Sequence, residues 1–157
     1  MGGFIGTDEG KCIYSHKRIE EWIEQLSSLS EIAKIEPHAA YTAFITGFVN
    51  KMSYHIRVLP NIDHLLSKLD KIIDTKFIPA ITDGHICTTE ERLLLSMPIK
   101  RGGLSIPIFG KSCKNEYTNS RLACDQFIEN IKAQTTEFVF NDENFIRNKN
   151  EIINRRK

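Results

Sequence analysis

At 157 residues, 41% hydrophobic and 26% charged, the chain is sized for one domain with a buried core. Its formal charge of +1 gives no global pull toward nucleic acid or a membrane surface, and no apolar run approaches the roughly 20 residues that span a bilayer. The charge is uneven, acidic over residues 1–37 and mildly basic beyond, so any nucleic-acid contact has to be local.

The opening "MGGFIGTDEG" sets Phe4 and Ile5 between glycines and follows them with Asp8-Glu9-Gly10, which reads as a short strand and a turn. From about Lys11 the period becomes helical. Ile19, Trp22, Ile23, Leu26 and Leu29 fall on one face, and Lys17, Arg18, Glu20, Glu21 and Glu24 on the other. Pro37 suits the first position of a second helix, with Tyr41, Phe44, Ile45, Phe48, Met52, Ile56 and Leu59 as its apolar side. Gly47 inside it is expected to admit a neighbouring helix closely, and Pro60 ends it.

Asn61 is the expected cap of a third helix carrying Ile62, Leu65, Leu66, Leu69, Ile72 and Ile73 and fading near Phe77 and Pro79. "TDGH" at 82–85 is a turn, and Thr88-Thr89-Glu90-Glu91 has the form of a capping box opening a short helix that stops before Pro98. The "MPIKRGGLSIPI" loop at 97–108 leads into a long helix over about 111–133, with Cys113, Tyr117, Cys124, Phe127, Ile128 and Ile131 as its apolar face. Residues 134–157 are Asn-rich and read as a polar, weakly ordered tail with room for a short terminal helix in "NFIRNKNEIINRRK". The fold class is all-α: a small bundle of about five helices with a strand remnant at its start.

Cys12, Cys87, Cys113 and Cys124 form no CxxC pair, and the chain opens without a signal-like segment. They read as reduced thiols of an intracellular protein, with nucleus and cytoplasm not distinguished. A His and a Cys two apart, His85 and Cys87, read as a loop rather than a metal site, since no second pair accompanies them. His38, His55 and His64 read as surface or satisfied polar residues. No nucleophile, P-loop or zinc-protease motif is present, so no catalytic residue, metal or cofactor is assigned.

Two stretches carry binding chemistry. In the loop, Lys100 and Arg101 place cations beside Gly102 and Gly103, whose backbone freedom suits phosphate contact. The plainer reading is a turn that seats Leu104 and Ile106 on the helices while the cations face water. At 50–62, Lys51, Tyr54, His55 and Arg57 mix cations with an aromatic ring, as nucleic-acid grooves do, or equally form a solvated face beside a core tyrosine.

Together, "SEIAKIEPHAAYTAF" (30–44), "YHIRVLPNIDHLL" (54–66), "KFIPAIT" (76–82) and "MPIKRGGLSIPI" (97–108) resemble, in order, the region after the catalytic palm of retrotransposon reverse transcriptases of the non-LTR, LINE-like type. The resemblance covers residues 1 to about 133. It implies that "MGGFIG", with Gly2 and Gly6, is the end of the hairpin that grips the primer, and that residues 11–133 are the helical thumb, which tracks a primer–template duplex. Three positions of the loop depart from the family: Met97 replaces a leucine, Arg101 an apolar residue, and Ser105 a glycine. The Y-x-D-D turn that holds the family's metal-binding aspartates is absent from this sequence, and two-metal phosphoryl transfer requires those carboxylates. The expected function is therefore that of a non-catalytic, detached thumb piece binding an RNA or DNA duplex weakly through Lys51, Tyr54, Arg57 and Lys100–Gly103. Two alternatives stand beside it: a functionless relic, or a helical protein–protein module that self-associates through the Trp22 face once covered by the palm.

Overall fold

The structure, a computed structural model, describes residue 4 and residues 6–134 and 140–155. Among these it is all-α, with six helical rods and no strand. The strand expected over 1–6, including Gly2, lies largely outside the described residues; Phe4 and Gly6 belong to no strand.

The first helix, α1, spans Asp8–Ala33 and starts earlier than the sequence suggests. Thr7 caps it, its hydroxyl accepting from the Gly10 amide at 3.2 Å. Asp8 and Glu9 then stand in the first turn, where the exposed amides favour negative charge. The acidic "DEG" is thus helix-start rather than turn chemistry. The second rod, α2, covers residues 37–58, with Pro37 in its first turn as expected. The third, α3, covers residues 63–81. Asn61 does not cap it; it adopts a φ of 57° in the turn before it, and no side chain caps the helix at Ile62.

Both rods contain one π turn, which periodicity cannot reveal. In α2 the Val49 amide donates to Phe44 O, and in α3 the Ile78 amide donates to Ile73 O, each five residues back. The two π turns meet across the core. Phe44 stacks on Phe77 with ring centroids 4.5 Å apart and on Phe48 at 5.5 Å. Gly47 lies in the π turn of α2 facing open space, so it admits no neighbouring helix.

The fourth helix, α4, spans Thr89–Ser96 and opens with the expected capping box: Thr88 Oγ1 accepts from the Glu91 amide and Glu91 Oε2 from the Thr88 amide. That amide, with His85 adding to it, holds the Glu91 carboxyl below its ordinary value. Helix α5 runs over Phe109–Ala133. Rods α2 and α3 pack against α1 on one side and against α5 on another. Trp22 and Leu26 of α1, Met52 of α2, Leu66, Leu69 and Ile73 of α3, and Phe109 of α5 are all sealed from solvent. Burying each such side chain contributes about 1.5–3 kcal/mol.

Trp22 is therefore core, which removes it as the exposed stripe of a self-association surface. The edge of the His55 ring lies against it at 4.8 Å, and His55, itself buried, donates from Nδ1 to Lys51 O at 2.9 Å.

The apolar face expected on α5 is covered only in part. Cys113 is buried, whereas Cys124, Phe127 and Ile131 are exposed. The second half of α5 meets α6, Asp142–Arg155, inside what the sequence presents as a weakly ordered tail. Amides dock this helix: Gln126 and the Asn141 backbone exchange two hydrogen bonds, and buried Asn148 donates to Leu122 O at 3.1 Å.

The start of α5 is held by a side chain from α3. Asp70, buried, accepts from the Phe109 amide at 2.9 Å and the Gly110 amide at 2.8 Å. Burial raises its pKa above 3.8, and the two amides only partly oppose this. A raised folded value means that the native state binds the proton more tightly than the unfolded chain. The stability due to this group is full below pH 3.8 and is lost as the pH rises through the folded value. Denaturant unfolding of the wild type and Asp70→Asn across pH 3 to 7 (roughly the carboxylate range) tests this. The wild-type advantage should fall as the pH rises from 3.8 through the folded value and level off beyond it.

Candidate nucleic-acid interface

The loop between α4 and α5 begins with a 3₁₀ turn, Ile99–Arg101, closed by Gly102 at φ 84°. The amides of Arg101 through Ile106 all donate to carbonyls of the loop or of α4. Gly102 reaches Ile99 O at 3.0 Å and Gly103 reaches Pro98 O at 3.3 Å, while Leu104 and Ile106 both reach Leu95 O at 3.1 Å. Ser105 reaches Met97 O at 2.9 Å. An amide already donating to a carbonyl is not available to a phosphate, so the expected backbone cradle at Gly102 and Gly103 does not form.

The same bonds make the loop a fixed seat. Ile106 is fully buried, and Leu104 packs on the core while its carbonyl accepts from Tyr41 Oη at 2.7 Å. Arg92 of α4, 8% exposed, donates to Ile106 O and Pro107 O, both at 2.9 Å, and pairs with Asp74 of α3. Sequence reading missed Arg92 and Asp70. Their signal was present as charged residues inside otherwise apolar helical periods, but charge at such a position reads by default as solvated.

Two residues of the loop carry its geometry. Gly103 is buried, and a Cβ there would lie 2.0 Å from Met97 O and 2.6 Å from Leu94 O, so only glycine fits. Ser105 adopts φ 53°, the left-handed region that favours glycine.

The candidate cations fall in two groups. Lys100 and Arg101 are exposed at the 3₁₀ turn, with no ion pair among the described residues. Lys51 donates to Gln25 Oε1 at 3.1 Å, and Arg57 pairs with Glu116 of α5 at 3.1 Å. Tyr54 is 37% exposed, edge-on to His55 at 5.2 Å. Tyr41, which touches the loop, and Arg57 stand toward opposite ends of α2, about 24 Å apart along its axis at the usual helical rise. The fold therefore does not gather the seven residues into one groove.

Comparison with protein-family models, with curated proteins and with solved structures gave no match to this chain.

Opposite effects on stability are expected from two substitutions in this one loop. Gly103→Ala should cost about 2–3 kcal/mol by forcing a methyl group into the Met97 carbonyl. Ser105→Gly should stabilise by about 0.5–1 kcal/mol, the relieved left-handed strain being partly offset by the freer unfolded chain. Chemical denaturation of both variants measures the signs. A destabilised Ser105→Gly would mean that the serine side chain contributes more than its backbone strain removes.

Proposed function

We propose that this chain is a non-catalytic helical module of reverse-transcriptase thumb ancestry that contacts a nucleic-acid duplex through the tip of its α4–α5 loop. The observation that carries the reading is the left-handed φ of Ser105, 53°, where the resemblance expects a glycine. A conformation that disfavours serine has no cause in the serine itself, and it is what a loop that once held glycine there would leave behind. Three of the four segments that carry the resemblance also pack on one another: Phe44 stacks on Phe77, and Tyr41 bonds the Leu104 carbonyl.

Binding rests on side chains, not on backbone amides. Lys100 and Arg101 project from a turn that internal hydrogen bonds hold in place, so little ordering cost accompanies contact. Their charge needs no release from an existing partner, unlike that of Arg57. Two cations on phosphates release about two counterions' worth of salt dependence, a slope of log K against log salt near −2 for B-form DNA. Such contact is weak and carries no base information. Polymerisation lies outside this reading, because the sequence holds no Y-x-D-D carboxylate pair.

Electrophoretic or anisotropy titration of a short duplex at several salt concentrations tests the proposal. The wild type should bind with a slope of about −2. Lys100→Ala combined with Arg101→Ala should abolish binding, and Lys51→Ala combined with Arg57→Ala should leave it almost unchanged. Binding that is undetectable at low salt, insensitive to salt or unaffected by loss of Lys100 and Arg101 would sink the reading.

A further inference from the structure

At the other end of α4, the structure brings together three side chains that the sequence leaves apart. Nitrogen of His85, sulfur of Cys87 and a carboxylate oxygen of Glu91 all lie within 4.8 Å of one another. His85 Nε2 and Glu91 Oε2 are already 3.0 Å apart. A tetrahedral zinc ion with bonds of ordinary length holds such donors about 3.3–3.6 Å apart. The cluster thus needs side-chain adjustments of only about 1 Å to reach that spacing.

Both ends of this His-x-Cys-x-x-x-Glu run are fixed by the fold. On one side, Asp83 and Gly84 take φ of 53° and 83°, Gly84 N donates to Pro79 O at 2.8 Å, and His85 N donates to Thr82 O at 3.2 Å. Thr82 Oγ1 also donates to the His85 carbonyl at 3.3 Å. On the other side, the capping box holds Glu91 in the first turn of α4 through Oε2, and Oε1 has no partner among the described residues. Between them, Cys87 is half-buried, packed on the core. A donor set anchored at both ends loses little freedom on binding an ion.

We propose that His85, Cys87 and Glu91 form a binding site for a zinc-class divalent ion, with water completing the fourth position. The donor chemistry selects the ion. A thiolate excludes hard cations such as magnesium and calcium, and one imidazole, one thiolate and one carboxylate together suit zinc or its spectroscopic substitute cobalt. The charges balance: thiolate and carboxylate neutralise the dication while the imidazole stays neutral. As the metal–sulfur bond forms, the Cys87 thiol releases its proton to solvent, the proton on His85 Nε2 moves through solvent to Nδ1 so that the imidazole stays neutral, and the His85–Glu91 hydrogen bond gives way to two metal bonds. The ion would tie the 82–88 segment to the first turn of α4 without disturbing the cap on Thr88. This site stands apart from Lys100 and Arg101, so it holds or fails independently of duplex binding.

The test is a titration of the reduced, metal-free full chain with cobalt(II), carrying Cys12→Ser and Cys124→Ser to remove the exposed thiols. One equivalent should bind and produce a thiolate-to-cobalt charge-transfer band with the intense visible bands of tetrahedral cobalt, and zinc should displace it. Cys87→Ser should remove the charge-transfer band. His85→Ala and Glu91→Gln, which retains a capping side chain, should each weaken cobalt binding by at least the roughly 10- to 100-fold seen for loss of an outer partner. Circular dichroism of each variant checks that the helices persist. A band that survives Cys87→Ser, affinity unchanged by the histidine and glutamate variants, or a protein that takes up no cobalt at a large excess would each overturn the proposal.

Discussion

Two buried charges of opposite sign organise the path of the chain from α4 into α5. Arg92 takes the carbonyls of Ile106 and Pro107, and Asp70 takes the amides of Phe109 and Gly110. Four backbone groups, the last two carbonyls before Ile108 and the first two amides of α5, thereby gain partners that neither a helix nor a sheet provides. Buried backbone groups without partners cost about as much as lost hydrogen bonds, so this stretch has to be satisfied by side chains or stay at the surface. It does not stay at the surface, because Ile106 and Phe109 belong to the core. The cost of burying the charges is offset in part by the backbone groups they satisfy, by the Arg92–Asp74 pair, and by the attraction between Arg92 and Asp70.

Arg92 also explains how so short a helix as α4 is stable. Eight residues are too few to persist alone in water. Its N-terminus is closed by the Thr88–Glu91 box, its C-terminus stops before Pro98, and Arg92 fastens its middle to α3 and to the loop beyond. Leu95 adds the reverse bond, its carbonyl accepting from both Leu104 and Ile106. α4 and the loop after it thus form one unit, and a change in either is felt in both.

This arrangement also marks what could be read from the sequence and what could not. Where a residue acts through its immediate neighbours, the sequence is a good guide: Pro37 at a helix start, the Thr88–Glu91 box, the stop before Pro98, and the apolar stripes of α1 to α3 are all where their chemistry puts them. Residues whose partners lie far along the chain are misread. Asp70 reaches Phe109 and Gly110, Arg92 reaches Ile106, and Asn148 reaches Leu122; a charge inside an apolar stripe is the one local mark of the first two, and it does not say what partner it meets. The π turns fail for a related reason. One extra residue per turn shifts the phase of a helix without changing which residue types are apolar, so Phe44 and Phe77 look like ordinary members of a stripe rather than the point where two bulges meet. The polar docking of α6 escapes because amide pairs such as Gln126 and Asn141 leave no mark in hydrophobic periodicity.

The loop at 97–108 shows how the glycines of a motif can serve the fold rather than a ligand. Its glycines look like a phosphate cradle, yet Gly103 is there because a carbonyl occupies the space a side chain would need, and the amides around it are engaged within the fold. Once the backbone is used in this way, the variable chemistry left to the loop is what projects from it, namely Lys100 and Arg101. Replacing Ser105 with glycine would alter only the strain of the seat, whereas changing residues 100 and 101 alters its charge without touching a hydrogen bond of the frame. Scaffold and contact are therefore separable in this segment. That separation lets the charge at residues 100 and 101 change without cost to the fold, and it locates any binding by this loop in two side chains rather than in the shape of its backbone.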